Sequence, residues 1–468
     1  MLAAAALLAS ALSVSAEITA LVGGTMIDPG KSQILETATV VIEGDHITSA
    51  GSSKAPDGAR VIDCRGKFIL PGYIDTHVHF FQSGDLFTRP DVVDLNKLRS
   101  YRDEVAWIKS HVHDVFVRYL RCGITSVVDV GGPMWNFEVR KIAAATAKAP
   151  RVAVAGPLIS SVSRPQLDLG DPPIVKIDGP EQAREFVRKL APQNPDFVKI
   201  WYIVDKDHPV DSFRPTVRAT VEESHAHKLR VAVHATELET ARAAVEEGAD
   251  VLVHSVADQL VDERFVQLLK EHHTILTPTL VVFERYGRTF ANKLNLTPEE
   301  KKWGNPEVIA SLDVTKLKSD QVPDRIKAAL ADPDATLGRI KHTYDVALKN
   351  LKTLEDAGVT IAAGTDAGNI GTIHGPALFR EFQLMKEAGL TPMQILQCAT
   401  VNAAKFIGTP GPDVRAMSSD PQVGTIEPGK FADLVVLNSN PVNDIAHASD
   451  IQIVIKNGVV YPADDILK

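Results

Sequence analysis

The sequence is short of the features on which several large protein classes depend. It has three cysteines, Cys64, Cys122 and Cys398, and no C-x-x-C pair. An odd, scattered set of that size argues against a disulfide framework. Lys and Arg number 50 against 59 Asp and Glu, for a net charge of −9, and the basic residues are dispersed. That leaves no electrostatic footprint for nucleic acid. Neither a Gly-rich phosphate loop nor a G-x-S-x-G elbow occurs, which disfavours nucleotide-fold and serine-hydrolase readings. Beyond residue 16, no apolar run is long enough to cross a bilayer.

Residues 1–16 stand apart. They carry no charge and are mostly Ala, Leu, Val and Ser, ending in Val14-Ser-Ala16 ahead of Glu17. This reads as the apolar region and small-residue cleavage site of a secretory signal, too short to span a membrane. It departs from the usual pattern in having no Lys or Arg at its start, which a start further upstream would explain. The expectation is an exported protein, periplasmic or secreted.

With 468 residues, 44% of them hydrophobic, the chain can bury a large core, and one barrel plus a smaller domain is the natural division. Its organising stretch is Phe68-Ile-Leu-Pro-Gly-Tyr-Ile-Asp-Thr-His-Val-His-Phe80, read as a strand ending in His77 and His79. Residues two apart on a strand share a face, so both imidazoles converge and Val78 turns away. Two convergent imidazoles make half of a metal site for zinc or its first-row neighbours. His111-Val-His113 and His225-Ala-His227 have the same spacing in segments of helical periodicity. There the two rings point about 200° apart, so those four are surface or packing residues.

Both chain ends have the texture of short strands and turns. Residues 38–48 read as a hairpin across Gly44-Asp45, and 431–437 and 451–459 as strands. Residues 17–65 and 411–468 are therefore expected to form one small β-sandwich domain, with 66–410 inserted between them. In that middle, apolar strands recur with helices between them: 123–130, 151–155, 196–201, 230–234, 250–254, 274–278 and 360–366. With the opening stretch these make eight, which implies a (β/α)8 barrel, a TIM barrel of the α/β class, with its chemistry at the C-terminal strand ends. The ionisable residues at those ends are His77, His79, Lys199, His234, His254 and Asp366.

Leu70-Pro-Gly-Tyr-Ile-Asp-Thr-His-Val-His79, His234, His254, Gly364-Thr-Asp366 and Gly424-Thr-Ile-Glu-Pro-Gly-Lys-Phe-Ala-Asp-Leu434 together resemble the amidohydrolase superfamily over nearly the whole chain past residue 16. The nearest resemblance is to imidazolonepropionase-like proteins and metal-dependent Xaa-Pro and related dipeptidases. It implies two divalent metal ions. His77, His79 and Asp366 would hold the more buried one and His234 and His254 the second. Lys199 would bridge both as a carbamate formed with carbon dioxide. A hydroxide between the metals would attack the substrate carbonyl. Asp366 would take the proton and pass it to the leaving amine. Zinc is the default, although manganese, iron or cobalt suits the same ligands. Imidazolonepropionase itself resembles a one-metal enzyme without the lysine, so Lys199 favours the dipeptidase side.

The expected function is hydrolysis of amide C–N bonds in a small-molecule substrate, a dipeptide or N-acyl amino acid. Cyclic-amide hydrolysis, a mycotoxin-cleaving type of amidase and an inactive barrel scaffold are the alternatives. No nucleic acid or membrane span is expected, and a homo-oligomer is compatible with the sequence. Candidate substrate contacts lie in the loops after the strands. Tyr202 or Arg164 would hold a carboxylate, and His374 would reach the site. Phe80, Phe81 and Phe87 suggest an apolar wall, and the helical excursion over 283–356 a lid.

Overall fold

The computed structural model describes residues 17–407 and 421–468; the signal expected over 1–16 and the domain junction expected at 410 lie outside the described residues. Both chain ends enter one sheet. Ile18–Asp28 pairs antiparallel with Gln33–Glu43, which turns at Gly44-Asp45 into His46–Gly51, the hairpin expected there. From the other end, Leu434–Leu437, Ile451–Lys456 and Val459–Pro462 form an antiparallel ladder. The two halves join through Phe68–Pro71, parallel to Ile18–Asp28 on one side and antiparallel to Leu434–Leu437 on the other. Alternate residues such as Val40, Ile42, Leu434 and Val436 point to one shared core, the period of two that a half-buried strand requires.

The stretch 68–80, expected as one strand, is two. Phe68–Pro71 belongs to the sheet of the chain ends, and Tyr73–Val78 opens the barrel. The break falls at Gly72. A Cβ there would lie 2.3 Å from Thr125 Oγ1, so only glycine lets the chain cross so close to the neighbouring strand.

Tyr73–Val78, Ile124–Asp129 and Arg151–Val154 run parallel. The third barrel strand then bends at Gly156, whose φ is 77°, and continues as Leu158–Ser160 beside Phe197–Trp201. Arg230–His234, Val251–Val253 and Ile275–Thr277 follow in order. The eighth segment is irregular. It closes the ring through the bridges Leu276 to Ile361 and Val78 to Ala367. The architecture is a (β/α)8 barrel with a small β-sandwich domain built from both chain ends.

Inside the barrel Phe197, Ala232, Val251 and Ala362 pack against Ala403 and Phe406 of the helix Val401–Ile407. Val198, Ile200, Val231 and Val233 point outward into the layer between strands and helices. After the seventh strand comes the expected excursion, from the helix Leu280–Phe290 through Asp324–Ala331 to Pro333–Asp356. Among the described residues no helix is long and apolar enough to cross a membrane.

Candidate metal centre

The pleat of the barrel places most of the site. On Phe197–Trp201, Phe197 packs in the barrel interior, so Lys199 stands above it on the same face. His234 stands above Ala232 for the same reason. Val78 packs outward among the helices, which leaves His77 and His79 turned inward. His254 breaks the rule. Val251 and Val253 both face the interior, so a continued pleat would send residue 254 outward. Its backbone is left-handed instead, with φ 79°, and the ring swings into the barrel mouth. Thr279, also left-handed at φ 48°, fixes that ring through a hydrogen bond between Oγ1 and His254 Nδ1 at 2.6 Å. Asp366 is left-handed at φ 62°. Non-glycine residues in such conformations cost about 1–3 kcal/mol each and gather at functional sites.

Asp366 reaches the first strand because Gly364 leaves room. A Cβ at Gly364 would lie 2.9 Å from both Cβ and N of His77. Asp366 Oδ1 is 3.3 Å from His77 Nε2 and 3.1 Å from His79 Nε2. One donor atom from each of the three lies within 4.8 Å of the others. The His77 and His254 ring centroids are 4.9 Å apart, and those of His254 and His234 4.4 Å. The four histidines, Lys199 and Asp366 line one cavity of about 390 Å³.

Burial pushes His77 down to about 4 and His234 to about 3, and takes His254 well below the usual imidazole range. All three rings are therefore neutral near pH 7, with lone pairs free for a cation. Burial alone would raise Asp366, but the adjacent His77 and His79 hold its carboxyl well below the usual range. Lys199 is buried, and its Nζ has no hydrogen-bond partner. Burial pulls its amine down to about 7, against the opposing charge of Asp366. His79 Nδ1 is held 2.7 Å from the Gly131 carbonyl, which fixes the direction of its other nitrogen.

Residues that the sequence alone did not single out surround Asp366. Asn369 Nδ2 donates to Asp366 Oδ1 at 2.7 Å. Asn369 Oδ1 accepts from Arg89 Nη1 at 2.9 Å and from the Tyr286 hydroxyl. Arg89 in turn grips Asp91 through Nε and Nη2 at 2.8 and 2.7 Å. The signal that could have found them is position, since they lie on the segments after the first, seventh and eighth strands.

The candidate substrate contacts are placed differently from expectation. Tyr202 is buried away from the cavity lining; its hydroxyl donates to the Val210 carbonyl and its ring packs on Phe213. His374 sits 2.8 Å from the Gln82 carbonyl through Nε2 and 2.7 Å from the Tyr119 hydroxyl through Nδ1. A carbonyl only accepts, so Nε2 carries the proton, and the ring braces the loop after the first strand. Arg164 lies over the Trp201 ring at 4.9 Å and 3.7 Å from Asp91, bordering a cavity that Trp201 lines. Of the three phenylalanines, Phe81 lines the cavity and Phe80 packs against Phe116. His111 stacks on Trp107 and His225 bonds Asp250, both away from the site.

The model of the amidohydrolase family matches residues 68–461. The chain belongs to the amidohydrolase family. It is similar to ochratoxinase of Aspergillus niger, with 24% identity over 92% of this chain and 83% of that protein. It is also similar to 5'-deoxyadenosine deaminase of Methanosarcina mazei, with 23% identity over 94% of this chain and 90% of that protein. Among solved structures, a Xaa-Pro dipeptidase with methionine bound in its active site superposes with a TM-score of 0.68. The identity is 23%, over 95% of this chain and all of the other (100%). Likeness at this level establishes the fold. The family is generally metal-dependent, and this amidohydrolase has a donor set that fits: three neutral imidazoles, a fourth beside Asp366, an anionic carboxylate and a buried amine without a partner.

Proposed function

We propose that the protein is a binuclear metal-dependent hydrolase of amide bonds, acting on dipeptides or N-acyl amino acids. Lys199 carries this reading. A buried ammonium with no partner beside four histidines would be costly, and a neutral amine there would leave its donors unused. With its pKa pulled down to about 7, the amine is available to add to carbon dioxide. Loss of a proton then leaves a carbamate anion with two oxygens. That anion would reach a cation held by His77, His79 and Asp366 and another held by His234 and His254.

The ions, zinc by default, would polarise the scissile carbonyl and acidify a water molecule. The chain supplies the rest. Asp366 takes the proton from the attacking water as the C–O bond forms, and gives it to the nitrogen as the C–N bond breaks. Asn369 holds the Asp366 carboxylate in place through that transfer.

A release assay tests this. Protein supplied with zinc and bicarbonate is given dipeptides, N-acyl amino acids and cyclic amides, with Asp366→Asn beside it, and products are read by mass spectrometry. Dipeptide or N-acyl amino acid turnover that vanishes in the variant supports the proposal. Turnover of cyclic amides alone would assign that chemistry instead. Release of ammonia alone, from an aminopurine control, would make the protein a deaminase. The export reading is tested separately, by whether the N-terminus of the exported protein is Glu17.

A further inference from the structure

The cavity carries one charge that the hydrolytic residues do not use. Besides its histidines, the ionised or ionisable lining consists of Asp366, Lys199, Arg89, Arg325 and Tyr286. Asp366 is held by His77 and His79, Arg89 is closed by Asp91, and the Tyr286 hydroxyl is spent on Asn369. Lys199 is buried within the metal centre. Arg325 differs from all of these. It is exposed on the helix Asp324–Ala331, and no carboxylate among the described residues pairs with it. Its guanidinium carbon lies 5.5 Å from the centre of the Phe290 ring, and its charge also reaches Tyr286.

Another part of the lining is apolar. Leu158, Leu167 and Ile174 come from the third strand and the segment after it. Ile326, next to Arg325, packs with Leu86, Val93, Phe290 and Ile370, which sets this helix against the segments after the first and eighth strands, two and three strands from the third. Arg325 and the apolar residues therefore line different sides of one cavity, which the histidines and Asp366 also line. Pockets of this kind fix a ligand's orientation with a few charged groups and bury its apolar part against the remaining wall.

We propose that Arg325 is the residue that selects for a carboxylate on the amine half of the substrate. The acyl half is apolar and lies against Leu158, Leu167 and Ile174. This rests on the amide-hydrolase reading above. The planar guanidinium fork matches a carboxylate with two parallel hydrogen bonds, and with no carboxylate beside it, it breaks no ion pair to do so. The substrate thus spans from the excursion to the third-strand segment, and its amide lies over the metal centre.

The test compares N-benzoyl-L-phenylalanine with N-benzoylphenethylamine, which lacks only the carboxylate. The wild-type protein should prefer the acid by about 10- to 100-fold in kcat/KM, the range of one charge-assisted contact. Arg325→Ala should bring that ratio close to one by lowering kcat/KM for the acid alone, chiefly through KM, and Arg325→Lys should restore part of it. An equal loss for both compounds, or an undiminished preference for the acid, would overturn the assignment. If metal-loaded wild type turns over neither compound, the amide-hydrolase reading fails for this class, and calorimetric binding of N-benzoyl-L-phenylalanine decides Arg325 on its own. Binding at least about tenfold weaker in Arg325→Ala supports the assignment. Equal affinity in both proteins, or no binding to either, overturns it.

Discussion

Lys199 and Tyr202 are three residues apart on the same strand and its exit, yet substitutions at the two should be read out differently. Lys199 has no hydrogen-bond partner, so its removal costs the fold little and the metal centre much. On the proposed two-ion reading, Lys199→Ala should lower metal content from about two ions per chain towards one, and activity by more than roughly 100-fold, since loss of a residue that only supports a ligand already costs about 10- to 100-fold. Elemental analysis beside the release assay checks both. Tyr202 spends its hydroxyl on the Val210 carbonyl and lies off the cavity. Tyr202→Phe should cost about 1 kcal/mol in a denaturant melt, the worth of one neutral hydrogen bond, and leave kcat and KM where they were. Asn369→Ala belongs with Lys199. It removes the donor to Asp366 and leaves Arg89 Nη1 and the Tyr286 hydroxyl without their shared acceptor. We expect kcat to fall by about tenfold or more, with the protein still folded, because the lost bond is made to a charged group.

The helix Leu280–Phe290 ties the cavity to the barrel wall, and one buried carboxyl anchors its start. Glu381 accepts from the backbone N–H groups of Leu280 and Val281 at 2.9 and 2.8 Å, two of the donors that a helix start leaves unpaired. The preceding residue, Thr279, is the one that fixes His254. Burial nevertheless pushes Glu381 from 4.5 up to about 8, its two backbone donors opposing. With the folded pKa above the unfolded one, the folded protein holds a proton between those values that the unfolded chain has released. Its contribution to stability is therefore fully present below about 4.5 and is lost as pH rises towards 8. Glu381→Gln, which cannot ionise, should flatten that fall. Wild-type stability relative to the variant, from denaturant midpoints, should fall steadily from pH 5 to pH 8, and a constant difference would sink the idea. Elements of this regular kind were the legible part of the sequence. Apolar runs at barrel spacing and residues two apart on a strand report the pleat directly, which is why Phe197–Trp201 and Arg230–His234 could be placed with their inward residues. His254 reached the site only through a left-handed backbone that reverses its pleat, and periodicity carries no sign of that. Phe68–Pro71 and Tyr73–Val78 read as one strand because the steric demand at Gly72 comes from Thr125, remote in sequence. Arg89, Tyr286 and Asn369 were hidden for a related reason: each is an ordinary loop or helix residue until the closed ring brings three segments together.

At the scale of the molecule, the candidate metal centre sits at the mouth of a barrel that carries its own apolar core. The barrel interior is filled by Phe197, Ala232, Val251 and Ala362 with Phe406, and the outer layer by residues such as Val198, Ile200 and Val233. The two chain ends are pinned separately, through Phe68–Pro71 between Ile18–Asp28 and Leu434–Leu437. A zinc finger without its ion unfolds because the metal replaces a core; here the core is already present, so the metal should act only as a ligand that binds the folded state. At free metal about 1,000 times Kd, one site adds about 4 kcal/mol by mass action. Chelation should therefore leave far-UV circular dichroism unchanged at 25 °C and lower Tm by several degrees, with a single cooperative transition in both states. Returning zinc with bicarbonate should restore both Tm and activity, and returning zinc without bicarbonate should restore less of each, because the bridging group at Lys199 would be incomplete. Loss of the far-UV signal on chelation would instead mean that the ions complete the core and that the barrel is not self-sufficient.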